Sequence, residues 1–235
     1  NSVLAESPVI PKGASQLVSS VDLSLATDNY SFMTGMTAYE NLSGKSSDRY
    51  QYILPYYNYS KNFIPEYFNG SINYFSSGSN DLNNTNNLKT KIINDIEYNS
   101  LDNISILGFK SNFGIYFKNL NSMGKNDTIY KNSPQIEVFN ILNFQTSFPL
   151  SKINSTSIEK IIPKLSLRIN PANNMKENSG GGTINADNAF NINRLGINDS
   201  YEGGKSLTLG LDYRIEKKGK EFQNLDDKFL EFKIA

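Results

Sequence analysis

The sequence predicts an all-β protein, an antiparallel up-and-down β-barrel of the transmembrane, outer-membrane kind, present as about ten strands of a larger barrel. Three observations predict it. Apolar and polar residues alternate with period two through segment after segment, as they must where side chains point to opposite faces of a sheet. The alternating segments run about 9 to 12 residues, the reach of a tilted strand across a bilayer, whereas soluble strands average about 5 to 6. The connections read short, long, short, long, as in a meander with tight turns on one side and long loops on the other; Greek-key connections of a soluble sandwich would break that order.

The elements follow in order. Residues 1–15, with Pro8 and Pro11, read as an irregular lead-in. Leu17, Val21, Leu23 and Leu25 give the first strand an apolar face, and Thr27 to Asn29 form a tight turn. Tyr30, Phe32, Met36 and Ala38 mark the return strand, and Glu40 to Arg49 a longer polar loop. Tyr50, Tyr52, Leu54 and Tyr56 form the next face; Pro55 lacks an N–H, which favours a bulge or a locally unpaired position there. Ser60 to Pro65 is short, Phe68, Ile72 and Tyr74 share a face, and the low-complexity Ser76 to Asn87 is expected to be a solvated loop.

Leu88, Ile92, Ile96 and Tyr98 come next, then a short connection at Asn99 to Asn103. Leu107, Phe109, Phe113, Ile115 and Phe117 alternate with Lys110, Asn112, Tyr116 and Lys118, and Asn119 to Pro134 is read as a long loop. Ile136, Val138, Leu142, Phe144 and Phe148 oppose Gln135, Glu137, Asn143 and Gln145, before a turn at Pro149 to Thr156. Leu165, Leu167 and Ile169 oppose Lys164, Ser166 and Arg168, and Pro171 to Gly204 is the longest loop. Leu207, Leu209, Leu211, Tyr213 and Ile215 make the clearest apolar wall, Lys217 to Lys220 a basic turn, and a partial strand ends the chain.

Composition narrows the function classes. The 23 basic and 23 acidic residues cancel, so no nucleic-acid partner is indicated. Hydrophobic content of 38% suits strands with one wet face. Without His or Cys there is no Ser-His-Asp or Cys-His arrangement, no disulfide and no thiolate metal site. No catalytic, cofactor-binding or metal residue is expected, and the chain is read as not an enzyme. Gly180 to Gly182 lack the spacing of a phosphate-binding loop. The Tyr and Phe residues suit the aromatic girdles of a membrane barrel. Asn1 opens no signal-peptide pattern and the chain stops at Ile234-Ala235 without a terminal aromatic, so residues 1–235 are read as a piece of one barrel domain, truncated at both ends.

The distinctive stretch is Asn193 to Arg214, N-R-L-G-I-N-D-S-Y-E-G-G-K-S-L-T-L-G-L-D-Y-R, a charged, Gly-containing loop that feeds straight into a clean strand. N-R-x-G, an acid, then E-G-G and an alternating strand ending in Y-R resembles the C-terminal barrel of the LptD family, the lipopolysaccharide-assembly outer-membrane proteins also called the organic-solvent-tolerance family. The resemblance extends to L-P-Y-Y-N-Y at Leu54 to Tyr59 and P-K-L-S-L-R-I-N-P at Pro163 to Pro171. The family pattern is G-x-D-R-x-E; here Gly196 and Glu202 stand one residue further apart, and Ser200 replaces the expected Arg. The motif residues are Asn193, Arg194, Gly196, Asp199, Glu202, Gly203 and Gly204, expected to order the loop or to contact lipopolysaccharide.

The resemblance implies an outer-membrane location and insertion of lipopolysaccharide into the outer leaflet. It also implies, as partners, lipopolysaccharide itself, membrane lipid, an LptE-like plug lipoprotein and a periplasmic lipopolysaccharide-transport bridge joined through an N-terminal domain. Two other readings stand beside it: a general porin or small-solute channel, and a soluble β-rich glycan-binding or adhesin module.

Overall fold

The computed structural model describes residues 15–42, 49–67, 69–83, 86–172, 182–197, 201–217 and 228–235. They form one antiparallel up-and-down sheet of twelve strands and, among the described residues, no helix. The strands are β1 (Gln16–Ala26), β2 (Tyr30–Asn41), β3 (Tyr50–Phe63), β4 (Gly70–Asn83), β5 (Asn87–Ser100), β6 (Asn103–Ile104), β7 (Lys110–Lys125), β8 (Gln135–Ser147), β9 (Leu150–Ile153), β10 (Ser157–Asn170), β11 (Gly204–Lys217) and β12 (Lys228–Ile234). They pair in the order β1-β2-β3-β4-β5-β7-β8-β10-β11-β12, with β6 on β7 and β9 on β10. Sequence neighbours are therefore sheet neighbours throughout. The path has two ends, β1 and β12, and the sheet is not closed.

Several strands are longer than their alternation predicts. The polar stretch from Ser76, expected as a loop, continues β4 to Asn83, because its side chains find partners on β5: Ser76 Oγ donates to Asn94 Oδ1 across 2.9 Å and Thr90 to Asn80 across 2.8 Å. In the same way Asn119 to Lys125, also expected as loop, extends β7. Hydrophobic pattern marks only the half of a strand with an apolar face; backbone pairing does not stop where that face does. Since β4 ends at Asn83 and β5 begins at Asn87, the strict short–long alternation of connections fails at this point.

Other boundaries shift for local reasons. Ser60 to Phe63, read as connection, belong to β3. Leu107 and Phe109, placed on a strand by their spacing, lie instead before β7, which begins at Lys110. Gly108 closes a turn onto Ser105 O across 2.9 Å with φ 88°, a left-handed conformation that only glycine adopts without strain. The turn expected at Pro149 to Thr156 is shorter, since Leu150 to Ile153 form β9. Pro163 stands where the partner of β10 passes from β8 to β9, next to Pro149, and neither proline can donate to the ladder. The lead-in to Ala14, Phe68 and most of the basic turn at Lys217 to Lys220 lie outside the described residues.

Of the two outcomes expected at Pro55, a bulge or a locally unpaired position, the structure has the bulge. Gly35 pairs Tyr56 and Thr37 pairs Ile53, so Leu54 and Pro55 together oppose Met36. One consequence corrects the facing of β3: across the bulge Tyr56 changes sides, leaving the face of Tyr50 and Tyr52 and joining that of Gln51 and Ile53. Its hydroxyl donates to Asp22, and Asp22 itself pairs Gly35 in the β1–β2 ladder.

Two compact units are distinguishable. The first comprises β1 to β3 with Asn73–Ile96 and Lys118–Val138; Ile93 and Leu120 are its buried apolar side chains on the sheet. On the same face Lys118 Nζ reaches Asp95 Oδ2 across 2.6 Å. The second comprises Ile64–Ile72, Glu97–Phe117 and the chain from Phe139 onwards, with Phe139, Ile141, Ala189 and Ile197 buried. On β10 of this unit the usual relation of polarity to burial is inverted, and on β8 the buried face carries Asn143 beside Phe139 and Ile141. Asn143 is 7% exposed, Arg168 3% and Asn170 0%, while Leu142 and Phe144 on the opposite face are 51% and 43% exposed. No helix among the described residues is long and apolar enough to cross a membrane, which says nothing of strands.

Candidate functional site: a charged latch at the base of the long loop

The loop between β10 and β11 is held at its base by a cluster of side chains from both sides of it. β10 alternates strictly, so Lys164, Ser166, Arg168 and Asn170 share its polar face, and the β10–β11 register sets Asn170 opposite Gly204. Gly204 opens β11 with φ 100°, again a conformation suited to glycine, and this bend brings the preceding Glu202 over the polar face of β10.

There the main-chain carbonyl of Glu202 accepts from Arg168 Nη2 across 2.7 Å and from Asn170 Nδ2 across 2.9 Å. The Glu202 carboxylate faces two guanidiniums: Arg168 Nη1 at 3.5 Å from Oε1, and Arg194 Nη2 in a direct ion pair with the same oxygen. Burial holds the Arg194 guanidinium below its usual pKa range. The Nε of Arg168 and of Arg194 find no acceptor among the described residues. Two cations thus share one carboxylate away from water, an arrangement that is costly to disturb from either side.

The loop closes on itself as well. Asn193 Nδ2 donates to Ile197 O across 2.9 Å and its Oδ1 accepts from Ile197 N across 3.1 Å, a ring that encloses Gly196 at φ 60°. Gly182 N donates to Leu195 O across 2.6 Å. Asn185 Oδ1 caps the turn at Asp187 and Asn188. From this turn Phe190 reaches the sheet: Gln145 Nε2 on β8 donates to Phe190 O across 2.8 Å, Lys164 Nζ lies 5.7 Å from the ring centre, and a Cβ at Gly210 would fall 2.6 Å from the ring. Lys233 on β12 pairs Asp187 at 3.1 Å. The loop is therefore folded onto the polar face of β8, β10 and β11.

Of the motif residues named from the sequence, Arg194 and Glu202 are brought together, Asn193 and Gly196 form the loop's internal ring, and Gly203 and Gly204 lead into β11. Asp199 and Ser200 lie outside the described residues. Arg168, Asn170, Gln145 and Phe190 were not singled out. The alternation of P-K-L-S-L-R-I-N-P does put Arg168 and Asn170 on one face; what it cannot give is their partner beyond the long loop. No group of three His, Cys, Asp or Glu side chains able to hold a metal occurs among the described residues. The cluster offers charge and hydrogen bonds, suited to holding backbone in place.

Scanned against protein-family models and searched against curated proteins, the chain has no match.

Proposed function

We propose that the chain is part of a transmembrane β-barrel of a bacterial outer membrane, and that this barrel serves lipopolysaccharide assembly. The observation that carries the membrane reading is the inverted face burial of β10, together with an exposed apolar face that runs from Leu142 and Phe144 of β8 to Leu207, Leu209, Leu230 and Phe232 of β11 and β12. A soluble sheet covers such a face with a second layer, whereas hydrocarbon is itself the cover for a membrane strand. The open ends at β1 and β12 take their partners from further strands of a larger barrel.

The lipopolysaccharide reading rests on the resemblance to the LptD family. It gains support from the contact between the two segments that carry that resemblance: Arg168 and Asn170 of P-K-L-S-L-R-I-N-P bond to Glu202 of the E-G-G loop. On this reading lipopolysaccharide passes along the polar face and leaves sideways into the outer leaflet. An LptE-like lipoprotein and a periplasmic transport bridge are the partners, and the charged latch shapes the mouth without doing chemistry.

The test is the pair Arg194→Ala with Glu202→Ala in the full-length protein. The expected result is impaired barrel assembly or lipopolysaccharide delivery, with cells becoming permeable to bulky hydrophobic antibiotics. Normal surface lipopolysaccharide and an intact permeability barrier would remove the role of the latch. Unchanged lipopolysaccharide transport after deletion of the whole barrel would remove the assembly reading, and an open small-solute conductance would then favour a channel.

A further inference from the structure

The short-turn end of the second unit carries apolar side chains where water-facing turns carry polar ones. The connection after β3 presents Ile64 and, 94% exposed, Tyr67. Beside it, the β6–β7 hairpin presents Ile104, a fully exposed Ile106 and, at 75%, Leu107. The two connections are tied together, Leu101 N donating to Asn69 O across 2.8 Å and the Tyr98 hydroxyl to the same carbonyl across 3.3 Å. Between them lies a cavity of about 710 Å³ with walls of Tyr98, Phe113, Phe144, Leu101 and Ile104; the rest of its lining is polar, Asp102 and Asn112 included. The rings of Tyr98 and Phe113 sit 5.5 Å apart.

We infer that this end of the sheet is a lipid-binding rim: the two connections seat in the membrane leaflet and the cavity takes a phospholipid acyl chain. This rests on the membrane reading and goes beyond it, since a strand can cross a bilayer while its turns stand in water. Three features select lipid as the occupant. The rim is continuous with the exposed apolar face through Phe113 and Phe144, which belong both to that face and to the cavity. The cavity is amphipathic, with aromatic and aliphatic walls and a polar side of amides, hydroxyls and one carboxylate, matching a chain joined to a headgroup. Its size falls in the range of small-molecule sites.

The sequence contains no Trp, so one introduced into it reports its own surroundings as a difference from the unsubstituted protein. Ile106→Trp and, as the reference on the sheet face, Phe113→Trp are made in the full-length protein. Each is reconstituted in phosphatidylcholine vesicles with and without bromine on the acyl chains. The expected result is blue-shifted emission from both, and loss of most of that emission in brominated vesicles. Water-like, unquenched emission from Ile106→Trp beside a quenched Phe113→Trp would overturn the rim while leaving the membrane reading intact. Unquenched emission from both would overturn the membrane reading and the rim with it. A blue-shifted but unquenched Ile106→Trp means that protein and not lipid covers the rim, which also overturns it.

Discussion

Arg168 on β10 donates from Nη2 to the main-chain carbonyl of Glu202 across 2.7 Å, so the strand that enters the long loop grips the backbone that leaves it. Arg194 then approaches the carboxylate of the same residue from within the loop. Glu202→Ala leaves two buried guanidiniums without their counter-ion and is expected to cost about 3–5 kcal/mol, as for other broken buried pairs. Arg194→Ala leaves Glu202 still facing Arg168 and is expected to cost about 1–3 kcal/mol. Urea unfolding midpoints of the folded protein check this. The reverse order of the two variants would show that the cluster is not what holds the loop base.

Phe113 and Asn112 are adjacent in β7 and point to opposite faces. Phe113→Arg places a charge on the exposed apolar face and is expected to cost about 2–4 kcal/mol if that face meets hydrocarbon. Asn112→Arg is expected to cost much less, since its neighbours there are Asp102, which accepts from the Asn112 amide across 2.8 Å, and a polar cleft. Equal losses of stability in vesicles would mean that the alternation does not separate lipid from water.

Phe190 sits where a side chain at Gly210 would stand, and Gly210 has a backbone that other residues can adopt. Gly210→Leu is therefore expected to displace the ring and loosen the loop, at about 1–3 kcal/mol as for other overpacked sites. The readout is trypsin cleavage after Arg194, slow in the unsubstituted protein and faster in the variant. Unchanged cleavage would show that the Phe190 contact does not restrain the loop.

Lys118, on the polar face of β7, is 7% exposed and pairs Asp95 at 2.6 Å. Lys118→Met alone leaves the carboxylate buried beside an apolar chain and is expected to destabilise by about 3–5 kcal/mol. Adding Asp95→Leu is expected to recover most of that loss. A double mutant no more stable than the single one would mean that Asp95 draws its stabilisation from its other neighbours.

Much of the architecture is legible in the residues, because period-two alternation is a local property that one strand declares by itself. Leu207 to Ile215, Phe113 to Phe117 and Leu165 to Ile169 could be assigned a strand and two faces without knowledge of any neighbour. Pro55 declared its bulge for the same reason: the missing N–H is a property of the residue. What was not legible depends on partners. Ser76 to Asn83 has no apolar rhythm and becomes strand through hydrogen bonds to β5. Tyr56 changes face only once the register with β2 is known.

The same division runs through the site. The sequence by itself determined that Arg194 and Glu202 belong to one charged loop and that Arg168 and Asn170 share a polar strand face. That these four meet was decided by the tertiary structure, because it takes the β10–β11 ladder, with Asn170 opposite Gly204, to bring together residues separated by the whole loop. Charge and alternation are written in single residues, whereas burial, and so the strength of the ion pairs, exists only after the strands have paired and water has left.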